Sequence, residues 1–301
     1  MKAASRVLVL MTACVAALGA SQVAVVSGGI LGGVLVGRKD PLAAYTVRIV
    51  TPSVIIESSG RRREQNLTCT GALIAPKVVL TAAHCFGSLF FETRCEDGAS
   101  KAVSGTAAAL SRSTTVRFRD GTEIPAMWFP HPSYKPALSH DALSGGDIAV
   151  LELAAPAPDW ATPVGLDERP IRERPEGHML LAGYGLGNEL RSDPCAPGAG
   201  AARPGTLREV AVAYRGKGVG DLLCVGNGDC STRRNLPTTP GSAPGDSGGP
   251  ASWVDEPLRE GRYAQEKPRA VAAVIRGNGG GATFVTPVVP YLEWIRERGR
   301  F

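Results

Sequence analysis

Short apolar runs alternate with clusters of glycine, proline and charge along most of this chain, the pattern of strands joined by turns rather than of long helices. In the first half, strand-like segments fall at Pro41 to Ile49, Val54 to Ile56, Cys69 to Ala75, Val78 to Thr81 and Asp147 to Leu153. In the second half they fall at Met179 to Ala182, Leu207 to Ala213, Ala270 to Val274 and Thr283 to Val288. The polar, charged stretch Glu57 to Asn66 reads as a loop, and Asn188 to Pro204 as a longer one. Between Ala154 and Gly177 proline and charge leave no periodicity, which marks the expected crossover between two similar modules, with the boundary near Asp167 to Glu176. Only near the C-terminus does the period change. Val289, Leu292 and Ile295 lie at helical spacing with Glu293, Arg296 and Arg298 on the other side, a helix that should dock by its apolar stripe.

The N-terminal pattern is different in kind. Lys2 and Arg6 precede an apolar run from Val7 to Leu18 and the small residues Gly19, Ala20 and Ser21, the layout of a secretory signal peptide over residues 1–21, with 22–29 as a short propeptide. The run is too short to span a bilayer comfortably. Met11 to Cys14 loosely imitates a lipobox, but the apolar run continues past Cys14, so export without an anchor is expected. Of seven cysteines, cleavage would remove Cys14 and leave an even set, suited to disulfides in an oxidising compartment. The 301 residues, 44% of them hydrophobic, suffice for one large or two small cores, and 37 glycines with 23 prolines fit many turns. Net charge is +5, and losing Lys2 and Arg6 with the leader leaves a weakly basic chain. Arg61, Arg62 and Arg63 lack interleaved aromatics, so they read as a solvated loop and not as a nucleic-acid site. Asn66, Leu67 and Thr68 form a glycosylation sequon, an argument for a surface loop.

Candidate chemistry gathers at Gly245, Asp246, Ser247, Gly248, Gly249 and Pro250. A serine hydroxyl is a weak nucleophile at neutral pH; it needs a positioned base and donors for the oxyanion it creates. Glycines at 245 and 248 allow the tight turn that would aim the amides of Gly245 and Ser247 into one small hole. The same residues satisfy the nucleophile elbow of α/β-hydrolases, in which the histidine follows the serine. Here His84, His131, His140 and His178 all precede Ser247, which excludes that order. The order histidine, aspartate, serine is open, whereas aspartate, histidine, serine would require Asp40, around which no motif gathers. Upstream, two β-rich runs lead to Thr81, Ala82, Ala83, His84 and Cys85, and Asp147 opens the buried strand Ile148 to Leu153.

GDSGGP around Ser247, TAAHC around His84 and DIAVL from Asp147 together resemble the nucleophile, general-base and aspartate motifs of the trypsin-like (chymotrypsin-fold) serine proteases. The resemblance covers Ile30 to Phe301. It implies an all-β fold of two six-stranded antiparallel β-barrels with the active site between them and a C-terminal helix, barrel one at about 30–166 and barrel two at about 177–301. It implies a serine endopeptidase acting through an acyl-enzyme: Ser247 attacks, His84 takes and returns the proton, Asp147 orients the imidazole, and the Gly245 and Ser247 amides hold the oxyanion. Asp141 is the nearest competitor for the third role but lacks a strand to hold it. A disulfide between Cys69 and Cys85 is implied, and closing a loop of that size is worth about 3 kcal/mol. His131, Pro132, Ser133 and Tyr134 resemble a structural corner of the family. Pairing among Cys95, Cys195, Cys224 and Cys230 stays open, and Ala243 stands where many members carry cysteine.

Specificity and activation follow from the same resemblance. Gly241 falls at the floor of the primary pocket, where members that cut after lysine or arginine carry aspartate, so uncharged P1 residues are expected. Ile275, Arg276 and Gly277 fall at the pocket wall. Members usually have serine where Ile275 falls, a serine that also supports the catalytic aspartate; Arg276, if turned into the pocket, would recruit an acidic P1 residue. Ile30, Leu31, Gly32 and Gly33 resemble the new N-terminus of activated members, whose amine pairs with the residue corresponding to Asp246. The chemistry calls for no metal or cofactor, and no histidine or cysteine cluster has zinc-ligand spacing. The expected partners are protein or peptide substrates, not nucleic acid, nor a membrane once the leader is gone, for a monomer that is secreted or periplasmic. The reading from another class is a catalytically silent homologue acting as a binding protein. Loss of a triad residue would favour it, and His84, Asp147 and Ser247 are all present.

Overall fold

The computed structural model describes residues 30, 32–136, 145–170, 177–186, 195, 205–218, 222–226, 230, 241–254, 270–279 and 282–300. The expected leader and propeptide, Asp141 and nearly all of Asn188 to Pro204 lie outside the described residues. In chain order the elements begin with β1 (Val34–Leu35), a one-turn helix α1 (Leu42–Tyr45), β2 (Thr46–Glu57), β3 (Arg62–Ala75) and β4 (Val78–Thr81). A 3-10 turn at Ala83–Phe86 leads to β5 (Gly87–Glu96), β6 (Ala99–Ala109), β7 (Ser113–Arg117), β8 (Glu123–Pro130) and β9 (Ala149–Leu153). Then come β10 (Gly165–Leu166), β11 (His178–Gly183), β12 (Arg208–Lys217), β13 (Leu223–Val225) and β14 (Pro250–Val254). β15 (Ala270–Val271), β16 (Ala273–Gly279), β17 (Ala282–Pro287), a 3-10 turn at Val289–Tyr291 and α2 (Leu292–Gly299) complete the chain.

The strands form two closed antiparallel barrels of six strands each, as the fold class expected. The first runs β3-β4-β9-β8-β7-β2 and closes by pairing β2 with β3; the second runs β12-β11-β14-β16-β17-β13 and closes by pairing β12 with β13. Closure removes the open edges that strands of this composition would otherwise present. The β5–β6 hairpin lies on β2 outside the first ring, β1 joins the second barrel through β12, and β10 and β15 make a two-residue parallel pairing. Ile49, Leu73, Leu80 and Leu151 are buried in the first core. In β11 the period of two is visible directly: Met179 and Leu181 fill the second barrel, while Leu180 and Ala182 face the other way into the cluster shared with the first. A strand buried on both faces in this way locks the two barrels together.

Three features differ from the sequence expectation or add to it. Glu57 to Asn66 is mostly strand, because β2 runs through Glu57 and β3 begins at Arg62, leaving only Ser58 to Arg61 as the turn. The polar and charged side chains alternate along the hairpin: Arg62, Glu64 and Asn66 are exposed, while Arg63 lies half-buried on the other face, where its Nε donates to Oε1 of the buried Glu57 at 3.1 Å. Strands β5 to β8 were not expected. In β7 the inward positions are Thr114 and Val116, and the Thr114 hydroxyl donates to the Val50 carbonyl at 2.9 Å, so a satisfied polar group occupies a core position and hides the alternation. Finally, α2 docks on the first barrel and not on the second, which it follows in sequence. Ile295 is fully buried in the first cluster, and Arg298 Nη1 meets Glu152 Oε1 of β9 at 2.9 Å.

Leu151, fully buried between β4 and β8, should lose about 2–5 kcal/mol of stability on truncation to alanine. Met127→Ala on the exposed face of β8 should stay within about 0.5 kcal/mol. Chemical denaturation of both variants checks the assignment of inward and outward faces, and equal losses would refute it.

Candidate active site

His84 is delivered by β4. The strand continues extended through Ala82 and then tightens into the 3-10 turn, and Cys85 is bonded to Cys69 of β3, so the residue after the histidine is tied to the neighbouring strand. The backbone amide of His84 donates to Asp147 Oδ1 at 2.9 Å, and its ring Nδ1 lies 2.9 Å from Asp147 Oδ2. Two contacts from one residue to both carboxylate oxygens fix the ring's plane and direct Nε2 away from Asp147. Asp147 has no exposed surface. Burial by itself would raise its pKa, but His84 and then Arg276 outweigh that and hold the carboxyl well below the usual carboxylate range.

The loop that carries Asp147 is anchored from behind. Gly146, at a φ of 73° that favours glycine, donates its amide to the Tyr291 hydroxyl at 2.8 Å. His131 donates its amide to the Ile148 carbonyl at 2.9 Å, and its ring stands edge-on to Tyr291 and Trp294 with centroids 4.9 Å away in both cases. His131 therefore occupies a corner between the aspartate loop and the C-terminal segment.

Ser247 sits in a turn held by both barrels. Gly245 and Gly248 have φ of 97° and 80°. The Ser247 carbonyl accepts the amide of Thr70 at 2.8 Å, and the Thr70 hydroxyl donates to the Gly245 carbonyl at 2.8 Å while accepting the Tyr184 amide at 3.0 Å. A Cβ on Gly248 would lie 1.9 Å from Thr81 Oγ1 and 2.8 Å from the Ala82 amide nitrogen. The serine turn is thus pressed against the end of β4, three residues before His84. Within the turn, Asp246, Gly248 and Gly249 donate their amides to carbonyls, whereas Gly245 and Ser247 donate theirs to no acceptor among the described residues.

Asp246 also has no exposed surface. Its Oδ2 accepts the amides of Ile30 at 3.0 Å and Ala243 at 2.8 Å, and its Oδ1 accepts that of Gly185 at 2.8 Å. Cβ atoms on Gly183 or Gly185 would lie within 2.1 and 2.7 Å of that carboxylate oxygen, so both positions exclude a side chain. Ile30 itself is fully buried in the second barrel's core. In the chain as it stands Ile30 is joined to Gly29, so its nitrogen is a neutral amide. Burial pushes the Asp246 carboxyl up to about 7 even against the three amides.

The expected pocket residues are placed less simply. Gly241 is buried, and a Cβ there would lie 2.7 Å from the Thr283 hydroxyl, which also accepts the Ser242 amide at 2.9 Å. Gly277 has open space around its Cβ position. Ile275 differs from the wall expected of it: its side chain is fully buried in the second core. The adjacent Arg276 turns its guanidinium onto Asp147 Oδ2 instead of into a pocket. The alternation of β16 is regular up to this point: Ala273 and Ile275 lie in the second core and Val274 in the shared cluster, so Arg276 takes the side of Val274, towards the first barrel; the register shift with β17 falls between Ile275 and Gly277. Two contributors were not read from sequence, Arg276 on Asp147 and the Thr70 clamp on the serine turn; for Thr70 the only available signal was its position beside Cys69. The other described cysteines pair as Cys95–Cys195 and Cys224–Cys230.

The trypsin family model matches residues 52–295, and the chain belongs to the trypsin family. Among solved structures, one described as "Structure of GrC" is similar with a TM-score of 0.54 and 21% identity, over 90% of this chain and 100% of that one. The scabies mite inactivated protease paralogue S-I1 is similar with a TM-score of 0.54 and 18% identity, over 89% of this chain and 99% of that one. At these identities the likeness is one of fold. No curated protein sequence matches the chain.

The buried Asp246 generates a pH prediction for the chain in which Ile30 remains joined to Gly29. An acid whose folded pKa lies above its unfolded value stabilises the fold fully below the unfolded value, about 4, and loses that contribution as pH rises towards about 7. The stability of the wild type relative to Asp246→Asn should therefore fall between those limits, as followed by denaturant unfolding across pH. A relative stability that rises over the same range would contradict the neutral-amide arrangement.

Proposed function

We propose that this chain is an exported serine endopeptidase that hydrolyses peptide bonds through an acyl-enzyme. Ser247 is the nucleophile, His84 the general base and then acid, Asp147 the group that fixes the imidazole tautomer and stabilises the imidazolium, and the amides of Gly245 and Ser247 the oxyanion donors. The observation that carries the reading is the double contact of His84 with Asp147, whose two 2.9 Å distances leave the ring one orientation, beside a serine turn pressed on the same strand. The cysteine pairs and the residue 1–21 leader support an oxidising destination outside the cytoplasm. Substrates are proteins or peptides, taken by a monomer. Among the described residues, Gly241 and the engagement of Arg276 with Asp147 put no charged group at the expected pocket floor, which favours uncharged P1 residues.

Activation belongs to the same proposal. Cutting after Gly29 would replace the Ile30 amide with an ammonium group beside Asp246, turning a neutral donor into a countercharge for a carboxylate with no solvent access. The carboxylate would then stay ionised and hold the turn that carries Gly245 and Ser247.

Ser247→Ala should abolish peptide cleavage without unfolding the chain, and Asp147→Asn should lower turnover by roughly 10⁴ because the histidine takes the wrong tautomer. Both are measured on a peptide library, whose cleavage sites should show uncharged residues at P1. A profile dominated by lysine or arginine would refute the pocket assignment, and near-normal turnover in Asp147→Asn would refute the triad. Protein beginning at Ile30 should be active and protein beginning at Gln22 poorly active on one substrate, with N-terminal sequencing after the assay. Equal activity from an intact Gln22 form would show that Ile30 has no activating role.

A further inference from the structure

Arg276 reaches across the seam from β16 and bonds the same Asp147 oxygen, Oδ2, that faces His84 Nδ1. The contact is shielded: the Arg276 side chain is 15% exposed and Asp147 not at all. The trypsin-family resemblance expects a serine hydroxyl to support this aspartate, a neutral donor. A guanidinium is also a donor, but it brings a permanent positive charge to a carboxylate whose task is to favour a positive charge on the imidazole. Two cations then share one anion, and each makes the other less favourable.

Among the described residues, the other titratable group facing this pair is Tyr134, from the segment after β8, whose phenol donates to the Gly87 carbonyl at 2.8 Å and stays neutral because burial and the nearby Asp147 push its pKa up. His131 lies behind Gly146, against Tyr291 and Trp294, with burial lowering its pKa. Ser247, on the turn pressed against the end of β4, carries no charge in the resting state. Arg276 is thus the one charged group, beside Asp147 itself, that these described elements turn towards the histidine.

We infer that Arg276 is a positioning residue that both fixes Asp147 and sets the pH range of the site, its charge opposing protonation of His84 so that the base stays available in more acidic solution. The inference rests on the proposed roles of His84 and Asp147. In operation, the arginine holds Oδ2 against the imidazole and weakens the carboxylate's pull on the proton; it touches no substrate atom.

The test compares the wild type with Arg276→Gln, which keeps a donor and removes the charge, and Arg276→Lys, which keeps the charge. The His84 ring protons of the full chain are followed by NMR across pH, assigned by their absence in His84→Gln, alongside the acid limb of kcat/KM on a peptide substrate. The expected result is that Arg276→Gln moves both midpoints upward by about one unit while Arg276→Lys stays close to the wild type. If the glutamine chain does not fold, Arg276→Ser carries the same expectation. Midpoints unchanged within error, or a lysine variant that moves as far as the glutamine one, would overturn the inference. The NMR titration needs no turnover. Absent hydrolysis with a moved His84 midpoint would therefore count against the peptidase reading alone, and hydrolysis with an unmoved midpoint against Arg276 alone.

Discussion

Two carboxylates without solvent access, Asp147 and Asp246, set the terms for everything at the junction of the barrels. A buried charge is tolerated only where donors or a countercharge replace the water it has lost. Asp147 obtains them from the His84 amide and ring and from Arg276, groups that come from both barrels. Asp246 obtains them from the amides of Ile30, Gly185 and Ala243, three points far apart in sequence. Each acid therefore draws distant segments to one place, and the two sets meet at the serine turn. Losing any donor exposes the others to the cost of an unsatisfied carboxylate.

Between those two anchors, the geometry depends on close backbone approach more than on side-chain bulk. Thr70 supplies an amide and a hydroxyl to the serine turn, Thr81 donates its hydroxyl to the Thr70 carbonyl at 2.8 Å, and Gly248 fits only because it has no Cβ. The Cys69–Cys85 bond joins the residue before Thr70 to the residue after His84. A covalent tie and a hydrogen-bonded clamp thus act on the same few residues of β3 and β4. The 3-10 turn that leads into α2 adds a third constraint through Tyr291, which holds Gly146 and so the approach to Asp147.

Much of this was legible in the sequence, for reasons that can be stated residue by residue. Runs such as Val78 to Thr81 and Ala149 to Leu153 are apolar because the first barrel buries them, and the motifs around His84, Asp147 and Ser247 stand out because their backbone demands admit few residue types. The strands from Gly87 to Pro130 were missed where buried threonines such as Thr114 satisfy their hydroxyls internally and so read as polar. Glu57 to Asn66 reads as loop because polar and charged side chains occupy both faces of the hairpin arm, and Arg62 to Asn66 nevertheless extends as strand with exposed and half-buried positions alternating. The exchange of roles between Ile275 and Arg276 has a different origin. Ile275 keeps the side of Ala273 in the second core and Arg276 that of Val274 towards the first barrel, so the period of two holds and only the face expected from the resemblance differs.

The central claim is that Ser247 is an activated nucleophile. A fluorophosphonate applied to protein beginning at Ile30, followed by digestion and mass mapping, reads that property without assuming a substrate. The account predicts one adduct per chain, located on Ser247 and lost in His84→Gln, because the hydroxyl is reactive only with its base in place. A folded chain that forms no adduct, or that forms it equally well without His84, would contradict the account.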